Sequence, residues 1–135
     1  MTDQPQPYAA MSLAQLAGFL ATATARVGGA AYQWRLIAEF LQEYRCEPGH
    51  SRAVLLAEEP PHIGDERWDV FLAALAEHLA AADDRAGPPW SEHRELGRSW
   101  FPFNTAAARA DALVHAPAAF RRRGIYIAPQ ELQVA

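Results

Sequence analysis

The hydrophobic positions of residues 65–82 repeat at alternating steps of four and three. That spacing puts them on one stripe of an α-helix: Trp68, Leu72, Leu75, Leu79 and Ala82. Asp65 is placed to cap the first turn, and Pro88 and Pro89 follow the end. Because Phe71 broadens the apolar stripe, the pattern predicts a central helix that is covered on two faces.

A first helix is predicted near the N-terminus. Ser12 and Gln15 have the spacing of a capping box, in which each residue satisfies a backbone N–H of the other. The apolar positions that follow predict a helix that stops at Gly28 and Gly29: Leu13, Leu16, Phe19, Leu20 and Val27. Residues 1–10 contain Pro5 and Pro7, and we expect them to be a flexible leader.

Two more helices are predicted before the central one. Residues 30–45 carry an apolar stripe at helical spacing: Trp34, Ile37, Leu41 and Tyr44. Ser51 opens a short third helix over residues 52–58, which contains an apolar run: Val54, Leu55 and Leu56. Short connections between these helices predict an antiparallel packing unit over residues 30–82.

The apolar residues beyond the central helix are not periodic. Residues 86–103 therefore predict an ordered loop that lays aromatic side chains over the helices: Trp90, Trp100, Phe101 and Phe103. Asn104 is placed to cap a helix from Thr105 to about His115, with two apolar side chains facing inward: Leu113 and Val114.

The last residues predict short elements. Pro117 suits the first position of a short helix, and Gly124 suits its C-terminal stop. Residues 125–127 are either a strand-like extension or a packed tail, and Pro129 starts a last turn. Together the elements predict an all-α fold, with residues 11–135 forming a single domain of five to six short helices and an aromatic-rich loop packed across them.

The composition of the chain bears on its disulfides and on the cellular compartment in which we expect it. The 135 residues include twelve arginines, no lysine and one cysteine, Cys46, so no internal disulfide is possible. No apolar run reaches the roughly 20 residues of a membrane span, and the N-terminus lacks the pattern of a signal peptide. We therefore expect a cytoplasmic protein with no membrane contact.

The net charge of −4 is unevenly distributed. Residues 61–91 hold two Arg against six acids, whereas residues 92–135 hold six Arg against four acids. The negative total disfavours a general nucleic-acid binder. A DNA-reading helix after the glycine turn would be residues 30–45, which carry Glu39 and Glu43. Because carboxylates repel phosphates, we expect no tight binding to nucleic acid by this chain alone.

Candidate catalytic residues are few. Glu77 and His78 could form a general acid/base pair, but adjacent helix residues point about 100° apart. A helix surface residue beside a partly buried histidine is the alternative interpretation. The five histidines show no His-Glu-x-x-His spacing, and no glycine-rich phosphate loop is present. We predict no enzyme activity, and no catalytic, cofactor-binding or metal-binding residue.

The sharpest feature is the run of Arg121, Arg122 and Arg123, with Arg109 as a fourth candidate. Guanidinium groups near a helix C-terminus complement its dipole, and at least one of the three must be exposed or salt-bridged. One hypothesis makes these four residues a partner-binding patch, with Arg94 and Arg98 nearby in sequence. The alternative is a structural role, in which these residues pair with Asp111 and the acidic central helix of the same chain, or clamp onto one of three aspartates: Asp69, Asp83 or Asp84.

The C-terminal half resembles a known group of proteins. The matching motifs run in order: residues 68–80, Pro89-Trp90, Trp100-Phe101, residues 116–126 and Glu131-Leu132. They resemble small actinobacterial proteins encoded beside abortive-infection-type nucleotidyltransferase toxins and treated as their antitoxins. The chain departs from the group at its end, where a basic residue before the last alanine is usual.

The resemblance implies a binding protein, and it carries over no catalytic residue. We therefore expect an antitoxin-like protein that binds and neutralises a nucleotidyltransferase-fold toxin. Two other hypotheses stay open. One is a DNA-binding regulator of its own operon, and the other is a small enzyme that uses Glu77 and His78.

Overall fold

The computed structural model describes residues 10–24 and 29–133 of the chain. Six α-helices follow one another there: α1 (Leu13–Thr24), α2 (Gly29–Arg45), α3 (Gly49–Ala57), α4 (Glu66–Ala82), α5 (Ala106–His115) and α6 (Ala118–Arg121). Two 3₁₀ turns, Pro89–His93 and Pro129–Leu132, complete the elements. No β-strand forms within these residues, and the prediction of an all-α fold with five to six helices is confirmed.

Some predictions fall outside the described residues. They are the leader, except for Ala10, together with the stripe residue Val27, the stop at Gly28 and the final Ala135. In the part of the chain that is described, no helix combines the length and hydrophobicity needed to cross a membrane.

The centre of the fold is α4, as the spacing of its apolar residues predicted. Asp65 caps it by accepting a hydrogen bond from the backbone N–H of Arg67. The buried residues cover all sides of the helix: Trp68, Asp69, Val70, Phe71, Leu72, Ala73, Ala74, Leu75, Ala76, Leu79 and Ala80. Only the predicted end of the stripe was wrong, because Ala82 lies in the last turn and is exposed.

The N-terminal helices begin largely where their caps predict. The Ser12 N–H donates to Gln15 Oε1 at 2.9 Å, and the Gln15 N–H donates to Ser12 Oγ at 3.1 Å, which confirms the capping box. The third helix begins at Gly49 rather than after Ser51, because Pro48 already has the extended conformation of an N-cap. Val54 of this helix is exposed, so its apolar run buries only Leu56 fully.

The aromatic residues of the loop pack on the helices, as predicted. Trp34 of α2, half-buried rather than fully buried, lies between rings from α4 and the loop: Trp68, Phe71 and Phe103. Trp100 adds a second layer over Trp68. Residues 125–127 combine the two alternatives, because Ile125 forms an isolated parallel bridge with Trp100 while Ile125 and Ile127 are buried like a packed tail.

Two expectations for α5 were wrong. Thr105, not Asn104, caps this helix, because the Thr105 side chain accepts a hydrogen bond from the N–H of Ala108. Leu113 and Val114 point outward, with exposed fractions of 51% and 70%. The physical reason is that α5 meets the core through one small residue, Ala112, and the large side chains beside it face solvent.

Candidate functional site

A stack of two aromatic rings between two arginine side chains lies on the C-terminal half of the molecule. The Arg109 guanidinium carbon is 4.0 Å from the centre of the Phe101 ring. Phe101 stacks on Tyr126 with ring centroids 5.0 Å apart and an interplanar angle of 16°. Arg121 lies 5.6 Å from the centre of Tyr126. These four residues are called the arginine–aromatic stack below.

Backbone pairing between distant segments brings the two rings of the stack together. Trp100 and Ile125 form a parallel bridge, in which the Trp100 N–H donates to Gly124 O at 2.8 Å. The Tyr126 N–H donates back to Trp100 O at 2.9 Å. Gly124 permits the turn before this bridge, since its φ of +85° lies in the region that favours glycine. Phe101 and Tyr126 follow the bridged residues and therefore meet.

The two arginines of the stack are held by uncharged groups. Arg109 Nη1 donates to Asn104 Oδ1 at 2.7 Å, and Arg121 Nη2 donates to Leu113 O at 2.9 Å. Both side chains are exposed, and neither forms an ion pair with another described residue. Two positive charges therefore stand in fixed positions with most of their N–H donors free.

Arg123 lies inside the fold, although it is only two residues from Arg121. Its side chain is 2% exposed and pairs with Glu77. Its donors also reach the backbone carbonyl oxygens of three residues: Ser91 at 3.0 Å, Arg94 at 3.1 Å and Ala119 at 2.8 Å. Because these bonds use its guanidinium inside the protein, Arg123 does not belong to a partner-binding surface.

Arg122 completes a clamp on α4. Its Nε donates to Glu77 Oε1 at 2.8 Å, while more than half of its side chain remains exposed. The structural alternative for the arginine run was right that these residues pair with the acidic central helix, although the acid is Glu77 and not one of the named aspartates. Asp83 pairs instead with Arg52, and Asp69 accepts from the Ile63 N–H.

Arg94 was also grouped by sequence with the exposed cations, and it is buried. Its guanidinium donates to Pro60 O at 2.7 Å, to Asp69 O at 3.1 Å and to Glu59 Oε2 at 3.0 Å. Arg94 and Arg123 together fasten the segment after α4 to the core. The separation of exposed from buried arginines was missing from the sequence interpretation.

Glu77 and His78 are occupied by structural contacts. Burial raises the pKa of Glu77, but the hydrogen bonds from Arg123 and Arg122 outweigh it and lower the pKa below its ordinary value. His78 is half-buried with its ring 5.6 Å from Phe120, and burial together with Arg45 lowers its pKa. Near neutral pH, Glu77 is thus an ionised, paired carboxylate and His78 a neutral imidazole.

Metal-ligating and thiol side chains form no second candidate site among the described residues. No three His, Cys, Asp or Glu side chains of residues 10–24 and 29–133 lie together in a way that could hold a metal ion. Cys46 is exposed and has no disulfide partner there.

None of the family models, curated proteins or solved structures compared with this chain matches it.

Proposed function

We propose that this chain is a binding protein that holds an anionic surface of another protein through Arg109 and Arg121. The arginine–aromatic stack is the observation that carries the proposal. Arginine is enriched at the energetic centres of interfaces, where its planar fork pairs with carboxylates. Here the rings fix both guanidinium groups in advance, so less conformational entropy is lost when a partner binds.

The same stack favours a protein partner over single-stranded nucleic acid. In proteins that bind single-stranded nucleic acid, the bases stack on free aromatic faces. Phe101 carries Tyr126 and Arg109 at distances too short for both to share one face, so both faces of its ring are covered. What the stack presents to the outside is N–H donors rather than open rings.

The charges of the other segments agree with this assignment. Three acids of residues 61–91 are paired within the chain: Asp65 with Arg67, Glu77 with Arg122 and Arg123, and Asp83 with Arg52. These carboxylates are therefore less available to a basic partner. The unpaired charges of the stack are positive, and they call for a partner with exposed carboxylates.

The resemblance of the C-terminal half supplies the partner's class. We propose that it is a nucleotidyltransferase-fold toxin and that this chain neutralises it by covering its nucleotide or RNA site. Three of the four residues of the stack lie within motifs of that resemblance, Phe101, Arg121 and Tyr126, and Arg109 lies between those motifs. The antitoxin function and the binding surface are thus proposed for the same part of the chain.

Two substitutions test this surface. Arg109→Gln and Arg121→Gln each remove one charge, and a central interface arginine contributes about 1 kcal/mol or more. Together they should weaken binding to a nucleotidyltransferase-fold protein encoded beside this gene by about 30-fold, if the two effects add. Arg35→Gln is the matched control, because Arg35 is an exposed arginine on α2 with a long 3.7 Å pair to Glu39.

The measurement is titration calorimetry with the purified proteins, accompanied by growth of cells that express both. Wild-type chain and the Arg35 variant should bind and restore growth, whereas the double variant should do neither at matched expression. Equal binding by the double variant would refute the surface. A wild-type chain that leaves the toxin fully active would refute the antitoxin assignment.

A further inference from the structure

A groove of about 750 Å³ runs between α1 and α2, on residues that the proposed function does not use. Each helix contributes a stripe at helical spacing, and Met11 just before α1 extends the first: Gln15, Gly18, Phe19 and Thr22 from α1, and Tyr32, Leu36, Glu39 and Glu43 from α2. From Tyr32 to Glu43 the stripe advances eleven residues, which corresponds to about 16 Å. A straight groove of three helical turns has the shape of a rod-like ligand.

The walls of the groove are large and apolar, yet they face outward. Phe19, one of the apolar positions that predicted the first helix, is 52% exposed, and Tyr32 is 43% exposed. Leu36 forms a buried floor between them. Exposed aromatic residues that line one concave surface are typical of an interaction site.

Gly18 gives an independent indication, because no contact among residues 10–24 and 29–133 calls for a glycine there. A glycine inside a helix costs about 0.5–1 kcal/mol relative to alanine. A Cβ built on Gly18 meets no atom within 4 Å, so no packing requires its absence. A local cost without an internal gain marks a functional position, and here it lets another backbone approach α1 closely.

The charged residues of the groove select the sign of the occupant. Its two charged side chains are both acidic, Glu39 and Glu43, and they lie one helical turn apart toward one end of α2. The Glu39 side chain is half-exposed, and its one ion pair with a described residue is the 3.7 Å pair with Arg35. Glu43 accepts a 2.7 Å hydrogen bond from the Met11 N–H, which closes that end of the groove.

We propose that this groove binds one amphipathic helix of another protein. The helix places apolar anchors at positions i, i+4 and i+7 between Phe19 and Tyr32, with its backbone against Gly18. A lysine or arginine at one end faces Glu39 and Glu43. The surface is separate from the arginine–aromatic stack, so either one can fail without the other.

Filling the groove is the direct test. Gly18→Leu adds a side chain where nothing obstructs it, and leucine is a better helix former than glycine, so the variant should fold at least as stably as the parent. Phe19→Ala and Tyr32→Ala remove the two exposed walls. Val54→Ala is the matched control, since Val54 is an exposed apolar residue on α3, outside the groove.

The probe is a displayed library of 14-residue amphipathic helices, with leucine anchors fixed and flanking positions randomised, selected on the full chain. Selected helices should carry Lys or Arg at one end. Gly18→Leu should weaken their binding at least tenfold, the two alanine variants several-fold, and Val54→Ala not at all. Glu39→Gln should weaken basic helices more than versions without the basic residue.

Other outcomes would overturn the proposal. They are the selection of no helix, the selection of acidic flanks, and equal binding by the Gly18→Leu chain. A concentration-dependent dimer that light scattering detects and Gly18→Leu abolishes, in the absence of any selected helix, would assign the groove to a second copy of this chain instead.

Discussion

Arg123 offers a sharp test of the division between buried and exposed arginines. Arg123→Met keeps the length and the apolar stem of the side chain but removes every donor. It leaves three backbone carbonyls without these bonds, those of Ser91, Arg94 and Ala119. It also leaves Glu77 with a single guanidinium, that of Arg122.

The size of the effect follows from these losses. Breaking a buried ion pair by removing one partner costs about 3–5 kcal/mol, and each orphaned buried acceptor costs about 1–3 kcal/mol. Glu77 is partly exposed and keeps Arg122, and the chain can relax around the carbonyls. We therefore expect Arg123→Met to lower the free energy of unfolding by about 3–5 kcal/mol, out of the 5–15 kcal/mol typical of a domain.

Arg122→Gln is the matched comparison, because it removes a guanidinium from the same carboxylate. Arg122 is more than half exposed, and surface pairs contribute only about 0–1 kcal/mol. Urea unfolding of both variants, followed by tryptophan fluorescence and circular dichroism, measures the difference. A double-mutant cycle of Arg123→Met with Glu77→Gln isolates the pair itself and should show positive coupling.

The reasoning would be refuted if Arg123→Met cost less than about 1 kcal/mol, the level of a surface pair. It would also be refuted if Arg122→Gln cost as much as Arg123→Met. Either result would mean that burial does not distinguish the two arginines in solution. Arg123 would then return to the candidate binding residues.

Three further predictions concern the core, a helix cap and pH. Leu75→Ala should cost about 2–5 kcal/mol in urea unfolding; a loss under about half a kcal/mol would show that α4 is peripheral. Thr105→Ala should cost about 1 kcal/mol and Asn104→Ala much less, and the reverse order would make Asn104 the cap of α5. Because burial lowers the pKa of His78 below 6.5, the unfolded state binds more protons, so stability present above pH 6.5 is lost as pH falls toward the lowered value. His78→Gln should flatten this part of a stability-against-pH curve, and an unchanged slope would assign the protons elsewhere.

Local signals in the sequence determined the helices and most of their ends. The four-and-three spacing around Leu75, the Asp65 cap and the capping box at Ser12 depend on residues within a few positions of each other. Neighbours along the chain interact in this way whatever the rest of the fold does. These predictions were therefore correct without knowledge of the tertiary packing.

The direction in which a helix faces was less accessible. The large residues Leu113 and Val114 were expected inside α5, but this helix packs through Ala112. Hydrophobicity alone does not tell which stripe of an alanine-rich helix meets the core, because small side chains allow close approach on several sides. Packing against the rest of the molecule made that choice.

The candidate site was determined only by tertiary structure. Arg121 and Arg123 have the same chemistry and nearly the same position in the chain. Arg123 is buried because Ser91 and Glu77, far away in sequence, supply its acceptors. Arg121 is exposed and lies on Tyr126, which stacks on Phe101 because of the bridge beside both rings. The sequence supplied the charges, and contacts between distant segments decided which of them face outward, because a guanidinium is buried only where its donors find acceptors.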